Sequence, residues 1–131
     1  RDGRVLLLLP ADHAAADPFD CSFDDDWLER VVARARDAVP CLGAAEIDRG
    51  ACWSGLYEMS PDRHAILGPS PEVENFVLAN GSSGHGVMHA PALGRLVAEM
   101  IVDGEARSLD VASLRPTRFA EGTPNAAFDL L

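Results

Sequence analysis

The stretch that decides the fold is Asn80-Gly81-Ser82-Ser83-Gly84-His85-Gly86-Val87-Met88-His89-Ala90-Pro91, whose residues 81–88 form what we call the glycine loop. A short apolar strand over residues 75–79 leads into this loop, and a helix follows it. Glycine accepts positive φ and has no Cβ, so the main chain can approach a flat or anionic group closely. The first N–H groups of the following helix have no intrahelical acceptor and favour negative charge. The stretch therefore predicts either a ligand-binding loop or an ordinary strand-to-helix turn.

The spacing within the glycine loop excludes several familiar sites. It reads G-x-x-G-x-G, which differs from the dinucleotide fingerprint G-x-G-x-x-G, and no Lys-Ser or Lys-Thr follows as in a phosphate-binding loop. Ser83 is not in a G-x-S-x-G nucleophile elbow, because His85 occupies the place of the second glycine. His85 and His89 have the spacing of a zinc pair, but Gly86 replaces the glutamate of H-E-x-x-H, so we expect no metal.

Composition limits the class of protein. The chain has 131 residues, 47% of them hydrophobic, which suffices for one small core. A formal net charge of −10 argues against nucleic acid and anionic membrane surfaces as partners. No segment reaches the roughly 18–20 apolar residues of a membrane span, and we expect no signal peptide. Cys21, Cys41 and Cys52 form no C-x-x-C pair, so we expect reduced thiols and a cytoplasmic location.

The first half of the chain is predicted to contain one helix and three strands. Residues 4–9 form an uninterrupted apolar run, which indicates a strand covered on both faces. Asp24 and the two aspartates after it supply an N-cap and an acidic first turn for a helix that runs to about Ala38. Residues 44–47 and 51–57 are typical of strands. The apolar stripe of the helix consists of Trp27, Leu28, Val31, Val32 and Ala35.

The second half is predicted to contain two short strands and a second helix. The strands are residues 65–67 and 75–79, on either side of a Gly-Pro-Ser-Pro breaker. We place Pro91 in the first turn of the helix, where its missing N–H costs nothing. The helix ends at residues 103–104, Asp-Gly. Because the composition then turns small and polar, residues 120–131 are predicted to be a flexible tail.

Two blocks of the sequence resemble a known family. Residues 55–68 read GLYEMSPDRHAILG, and residues 81–94 read GSSGHGVMHAPALG. In this order they resemble the C-terminal part of the FAD-dependent amino-acid and amine oxidoreductases, which include D-amino-acid oxidase, glycine oxidase, and sarcosine oxidase and dehydrogenase. The resemblance is closest to the sarcosine branch and covers roughly residues 50–118.

The resemblance implies a fold and a larger context. It implies an α+β fold in which the mostly antiparallel sheet of a substrate domain packs against two helices. The N-terminal Rossmann unit that binds the ADP half of FAD in the family is absent, and the chain opens at Arg1 without a methionine. We therefore expect residues 1–119 to be the C-terminal part of a two-domain flavoprotein, carrying its substrate-domain sheet and its flavin loop.

The implied function is oxidation of a C–N bond in an amino acid or a secondary or tertiary amine (sarcosine-, glycine- or proline-like) by hydride transfer to a flavin. FAD would be noncovalent, because Gly55 stands where some relatives carry the cysteine that bonds to the flavin. Met88 stands where some sarcosine oxidases place a lysine. The substrate-side candidates are Tyr57, Met59 and Met88. The implied cofactor-binding residues are Gly81, Ser82, Ser83, Gly84, His85, Gly86, Val87 and Met88.

The same resemblance sets the expected partners. We expect the isolated chain to lack activity and to need the missing N-terminal FAD domain as well as a small amine or amino-acid substrate. The apolar face exposed by that absence would favour a homo-oligomer. Two alternatives remain open, namely a noncatalytic domain that binds a small anion at the glycine loop and an interaction module of a multi-subunit oxidase.

Overall fold

The computed structural model describes residues 3–11 and 16–126. The chain divides into two compact units that separate between Leu56 and Tyr57, here called unit 1 and unit 2. Unit 1 contains helix α1, Asp25–Ala38. Unit 2 contains strands β1, Ile66–Pro69, and β2, Val77–Asn80, followed by helix α2, Gly86–Asp103. Short 3₁₀ helices lie at Pro40–Leu42, Arg49–Ala51, Ala112–Leu114 and Pro116–Arg118.

Helix α1 confirms the prediction from the aspartate cluster. Asp24 is the N-cap, and its Oδ1 accepts hydrogen bonds from the N–H groups of Asp26 at 2.9 Å and Trp27 at 3.1 Å. Such a cap satisfies two of the N–H groups that a helix start leaves without an acceptor. The predicted apolar stripe faces inward, since Leu28 and Val32 are buried and the other three members are partly buried. Local sequence signals are sufficient for this element.

The three strands predicted in the first half are wrong. Residues 4–9, 44–47 and 51–57 form no strand, and no described segment pairs with them. A strand requires a neighbour that completes its hydrogen bonds. The Leu9 carbonyl instead accepts a bond from Trp27 Nε1 at 3.3 Å. The apolar side chains of residues 4–9, which were expected to be covered on both faces, are largely exposed, including Val5, Leu6 and Leu8.

The two strands predicted in the second half are confirmed, with boundaries shifted by one or two residues. Strands β1 and β2 pair antiparallel, with Ile66 opposite Asn80 and Pro69 opposite Val77. The Ser70 hydroxyl stabilises the connecting turn by accepting bonds from two backbone N–H groups. Beyond β2, an isolated antiparallel bridge joins Met59 to Ser82 and brings the segment before β1 alongside the glycine loop. Leu67 on β1 is 1% exposed and lies in the core.

Helix α2 starts earlier than predicted. It begins at Gly86, so Pro91 lies inside the helix rather than in its first turn, and that prediction is wrong. Proline lacks the N–H that would bond to the carbonyl four residues earlier, which belongs to Val87. The position at which α2 begins is therefore determined by the glycine loop before it and not by Pro91. The predicted end is confirmed, because Gly104 follows the helix in a left-handed conformation with φ 83°.

The described residues form a small α+β structure with two α-helices and one two-stranded antiparallel sheet. Helix α2 contacts both strands within unit 2. The two-domain context and the assignment of residues 1–119 stay predictions. The predicted tail, residues 120–131, also stays a prediction, and residues 127–131 lie outside the described part.

Candidate functional site

The glycine loop turns sharply between β2 and α2. Gly81, Ser83 and Gly84 have φ of 67°, 51° and 88°, so three residues within four positions adopt the left-handed region. A Cβ built on Gly81 would lie 3.0 Å from the Ser60 Cβ, so both the limited space and the positive φ favour glycine there. His85 then acts as the N-cap of α2 without a capping bond from its side chain.

The N–H groups of the loop fall into two sets. The first set is used within the protein, where Ser83 N–H donates to Glu58 O at 3.1 Å and His85 N–H donates to Ser82 O at 2.9 Å. The second set consists of the N–H groups of Gly84, Gly86 and Val87, which donate to no other described residue. These three donors lie at the positive end of the helix dipole. The arrangement can therefore stabilise negative charge on a ligand.

The side chains of the loop differ in accessibility. Ser82 and Ser83 are buried, and the N–H groups of both donate to atoms of Glu58, so neither side chain is presented to solvent. Val87 is 92% exposed and Met88 is 68% exposed. The rings of His85 and His89 stack with their centroids 5.8 Å apart. The exposed part of the loop is thus its backbone around Gly84 together with the first turn of α2.

The substrate-side candidates are only partly brought together. Met59 lies beside the loop through its bridge to Ser82, and Tyr57 precedes it on the same segment. Tyr57, Met59 and Met88 all expose close to half of their surface or more, so each is accessible to a ligand. Their role, and that of Gly81, Ser82, Ser83, Gly84, His85, Gly86, Val87 and Met88 in cofactor binding, stays a prediction.

A buried ion pair below the loop was missed by the sequence analysis. Arg118 is fully buried, and its Nε and Nη2 donate to the two carboxylate oxygens of Asp62 at 2.7 and 2.8 Å. Asn125 adds two further bonds to Asp62 Oδ2, from its backbone N–H and from Nδ2. The Arg118 guanidinium holds the pKa of Asp62 well below its usual value, although burial opposes this shift. Ser60, Asp62, Arg118 and Asn125 are called the buried polar cluster below.

Neither a metal centre nor a membrane span is visible in the described part of the chain. No group of three or more His, Cys, Asp or Glu side chains among residues 3–11 and 16–126 could hold a metal ion. No helix within those ranges is long and apolar enough to cross a membrane. The cysteines Cys21, Cys41 and Cys52 are free thiols.

The match to a family model defines the class of protein. The FAD dependent oxidoreductase model matches residues 1–100, and the chain belongs to this family. Over 93% of its length the chain is 31% identical to FAD-dependent oxidoreductase domain-containing protein 1 of Mus musculus, of which it covers 25%. It is 26% identical to glycine oxidase of Bacillus licheniformis over 70% of the chain and 24% of that protein. The chain spans about a quarter of the length of these curated relatives.

A solved structure supports the same assignment. The crystal structure of L-proline dehydrogenase from P. horikoshii superposes with a TM-score of 0.75 and 34% sequence identity, covering 82% of this chain and 28% of that one. The predicted membership of the amino-acid and amine oxidoreductase family is therefore confirmed, and FAD is the cofactor expected for it.

The glycine loop fits a flavin on its own geometry. The free N–H groups of Gly84, Gly86 and Val87 suit the electron-rich edge of a ring system. A Cβ on Gly86 would make only ordinary contact, 3.5 Å from the Ser82 Cβ, so packing within the chain does not require glycine there. A closely approaching ligand supplies a reason for glycine at that position.

Proposed function

We propose that this chain is the C-terminal portion of an FAD-dependent oxidoreductase that oxidises a C–N bond of an amino acid or a secondary or tertiary amine. The substrate would be sarcosine-, glycine- or proline-like. The family match supports the redox class, and the names of two similar proteins, glycine oxidase and L-proline dehydrogenase, support an amino-acid substrate. The isolated chain would be inactive, because it spans about a quarter of its relatives.

The observation that carries the proposal is the set of three unpaired N–H groups at the start of α2. Bound FAD would supply the hydride acceptor for the carbon next to the substrate nitrogen. The N–H groups of Gly84, Gly86 and Val87 would face its pyrimidine edge and stabilise the negative charge that develops there. These donors are fixed before any ligand arrives, so they need no reorganisation during the reaction.

Side chains around the loop suggest how the rest of the site is divided. Met59 and Met88 would line the substrate side with Tyr57, and their thioether chains adapt to an apolar substrate surface. FAD would be noncovalent, because Gly55 has no side chain to form a bond. The nearby thiol of Cys52 is not assigned a bond to the flavin, and it donates to Asp48 O at 3.4 Å. Free thiols at all three cysteines favour the cytoplasm as the proposed compartment.

The proposed partners are the small substrate and an FAD-binding domain of Rossmann type, with no nucleic acid and no membrane span. Exposed apolar side chains, including Val5, Leu6, Leu8 and Trp53, support a homo-oligomer or a second domain as a further partner. A colourless protein that binds a small anion would favour the noncatalytic alternative. Flavin binding that appears only after a separate chain is added would favour the interaction module.

The proposal is tested by valine substitutions in the intact flavoprotein. Gly84→Val must adopt φ near 88° with a β-branched side chain, and Gly86→Val places two methyl groups among the free N–H groups. We expect both variants to weaken FAD binding at least about tenfold, which corresponds to about 1.4 kcal/mol. Gly94→Val is the control, because a Cβ at Gly94 of α2 meets no atom within 4 Å. Equal FAD affinity in all three variants would contradict the proposed role of the loop.

A further inference from the structure

The conformation of the glycine loop depends on a residue that is not glycine. Ser83 has φ 51°, a region that costs an ordinary residue about 1–2 kcal/mol. Ser83 is also 2% exposed, so its side chain does not reach a ligand. A strained and buried residue next to Gly84 requires contacts that hold it in place.

Those contacts come from the segment before β1. Ser60 N–H donates to Ser83 Oγ at 3.2 Å, and Ser83 Oγ donates to Gly81 O at 3.0 Å. Ser83 N–H donates to Glu58 O at 3.1 Å. The Ser83 hydroxyl therefore fastens both the start of the loop and the neighbouring segment to one point, adjacent to the free N–H of Gly84.

Ser60 is in turn held in place by contacts within the buried polar cluster, of which it is a member. Its hydroxyl donates to His64 O at 2.7 Å and also lies 3.3 Å from Asp62 Oδ1. Asp62 Oδ1 accepts a bond from His64 N–H at 3.2 Å, which closes the turn over residues 60–64. The carboxylate thereby fixes the turn that carries Ser60.

Arg118, near the C-terminal end of unit 2, also binds the turn over residues 60–64. Besides its two bonds to Asp62, its Nη2 donates to His64 O at 3.0 Å. Its Nη1 donates to Leu114 O at 2.8 Å and Arg115 O at 3.1 Å. All five N–H groups of the guanidinium are thus used, each by a partner that lies within unit 2. This network leaves little freedom for the turn over residues 60–64.

We propose that Asp62, Arg118, Ser60 and Ser83 are positioning residues, which hold the backbone of Gly84 to Val87 in the orientation that presents its free N–H groups to the flavin. The inference rests on the proposed function of the glycine loop. Asp62 does not serve as a proton donor or acceptor in this role, because it is 3% exposed and both its oxygens are engaged by Arg118. Its effect on a ligand passes through Ser60 and Ser83.

The test uses Ser83→Ala and Ser83→Gly in the intact flavoprotein, with two measurements. The first is the dissociation constant for FAD, and the second is hydrogen exchange of the amides of residues 84–87 without FAD. Loss of the hydroxyl leaves the Ser60 N–H unpaired, so we expect both variants to bind FAD about tenfold more weakly and to exchange these amides faster. Ser70→Ala is the matched control, since its hydroxyl also accepts backbone N–H groups but lies at the far end of β1.

The outcomes separate the alternatives. Full recovery in Ser83→Gly alone would show that only the positive φ matters and would overturn the role of the hydroxyl. Unchanged exchange and affinity in Ser83→Ala would overturn the inference altogether. A wild-type protein that binds no FAD would contradict the proposed function, while the exchange measurement would still decide the positioning role. Asp62→Asn should reproduce the Ser83→Ala effect if it folds, and Glu121→Gln, which breaks an exposed ion pair in the same segment, should not.

Discussion

Units 1 and 2 are stabilised in different ways. Unit 1 buries two large apolar residues of α1, Leu28 and Val32, while Val5, Leu6 and Leu8 stay 64–79% exposed. Unit 2 combines an apolar core around Leu67 and Leu96 with the buried polar cluster, whose members come from both ends of the unit. The comparison teaches that local signals suffice to form α1, whereas the conformation of the glycine loop depends on contacts between residues distant in sequence.

The largest expected effect is the loss of the buried ion pair. Asp62→Ala leaves the Arg118 guanidinium buried without its partner, which destabilises proteins by about 3–5 kcal/mol. The loss should appear as faster hydrogen exchange in β1, β2 and α2. Both tryptophans, Trp27 and Trp53, belong to unit 1, so their fluorescence reports the other unit separately. If hydrogen exchange in unit 2 and tryptophan fluorescence in unit 1 reported the same loss of stability, the two units would not be stabilised separately.

A second effect concerns space in the glycine loop. Gly81→Ala must accommodate a Cβ at φ 67° within 3.0 Å of the Ser60 Cβ, which we expect to cost about 2 kcal/mol. Gly94→Ala on α2 has open space and should be neutral or stabilise by up to about 1 kcal/mol. Urea denaturation of both variants checks the difference, and equal midpoints would show that the loop adapts freely.

A smaller effect is expected in unit 1. Asp24→Ala removes the N-cap of α1 and should lower its stability by about 1 kcal/mol, seen as a loss of helical circular dichroism on mild heating. Asp24→Asn keeps an accepting oxygen and serves as the control. If both variants behave like the wild type, tertiary contacts rather than the cap hold α1, and unit 1 resembles unit 2 more than its exposure indicates.

The smallest expected effect is a loss of folding stability at low pH, which comes from Glu99 in unit 2. Hydrogen bonds from Ser108, the Arg107 N–H and Arg95 lower the pKa of Glu99 to about 2. A carboxyl whose pKa is lower in the folded state stabilises it above its usual value of 4.5, and this contribution is lost as the pH falls toward 2. Denaturation midpoints measured between pH 5 and 2 should therefore fall less steeply in Glu99→Gln than in the wild type.

The sequence predicted what depends on neighbours along the chain. The cap and stripe of α1, the hairpin strands β1 and β2, and the Gly104 terminus follow from residues close in sequence. Residues 4–9 and 51–57 have strand-like patterns as well, but a pattern records only which side chains are apolar. It cannot supply the partner strand, which explains why those predictions were wrong.

In the candidate site too, features formed by residues close in sequence could be predicted, and contacts between distant residues could not. The glycine loop could be found from its spacing and from the family resemblance, because its residues are contiguous. Asp62 and Arg118 are 56 positions apart, and nothing in either local sequence indicates that they meet. In the sequence, Asp62 is one position of the block of residues 55–68, and Arg118 marks only the end of the region that resembles the family.

The distance between Asp62 and Arg118 has a consequence for biosynthesis. A ribosome that adds about 5–20 residues per second needs about 3–11 seconds to reach Arg118 after it has incorporated Asp62. In the later part of this interval the nascent chain already contains Gly84 and the first turn of α2, yet it lacks the guanidinium that anchors the turn over residues 60–64. The face that would meet the cofactor therefore matures late in translation, after the helix that carries it has been made.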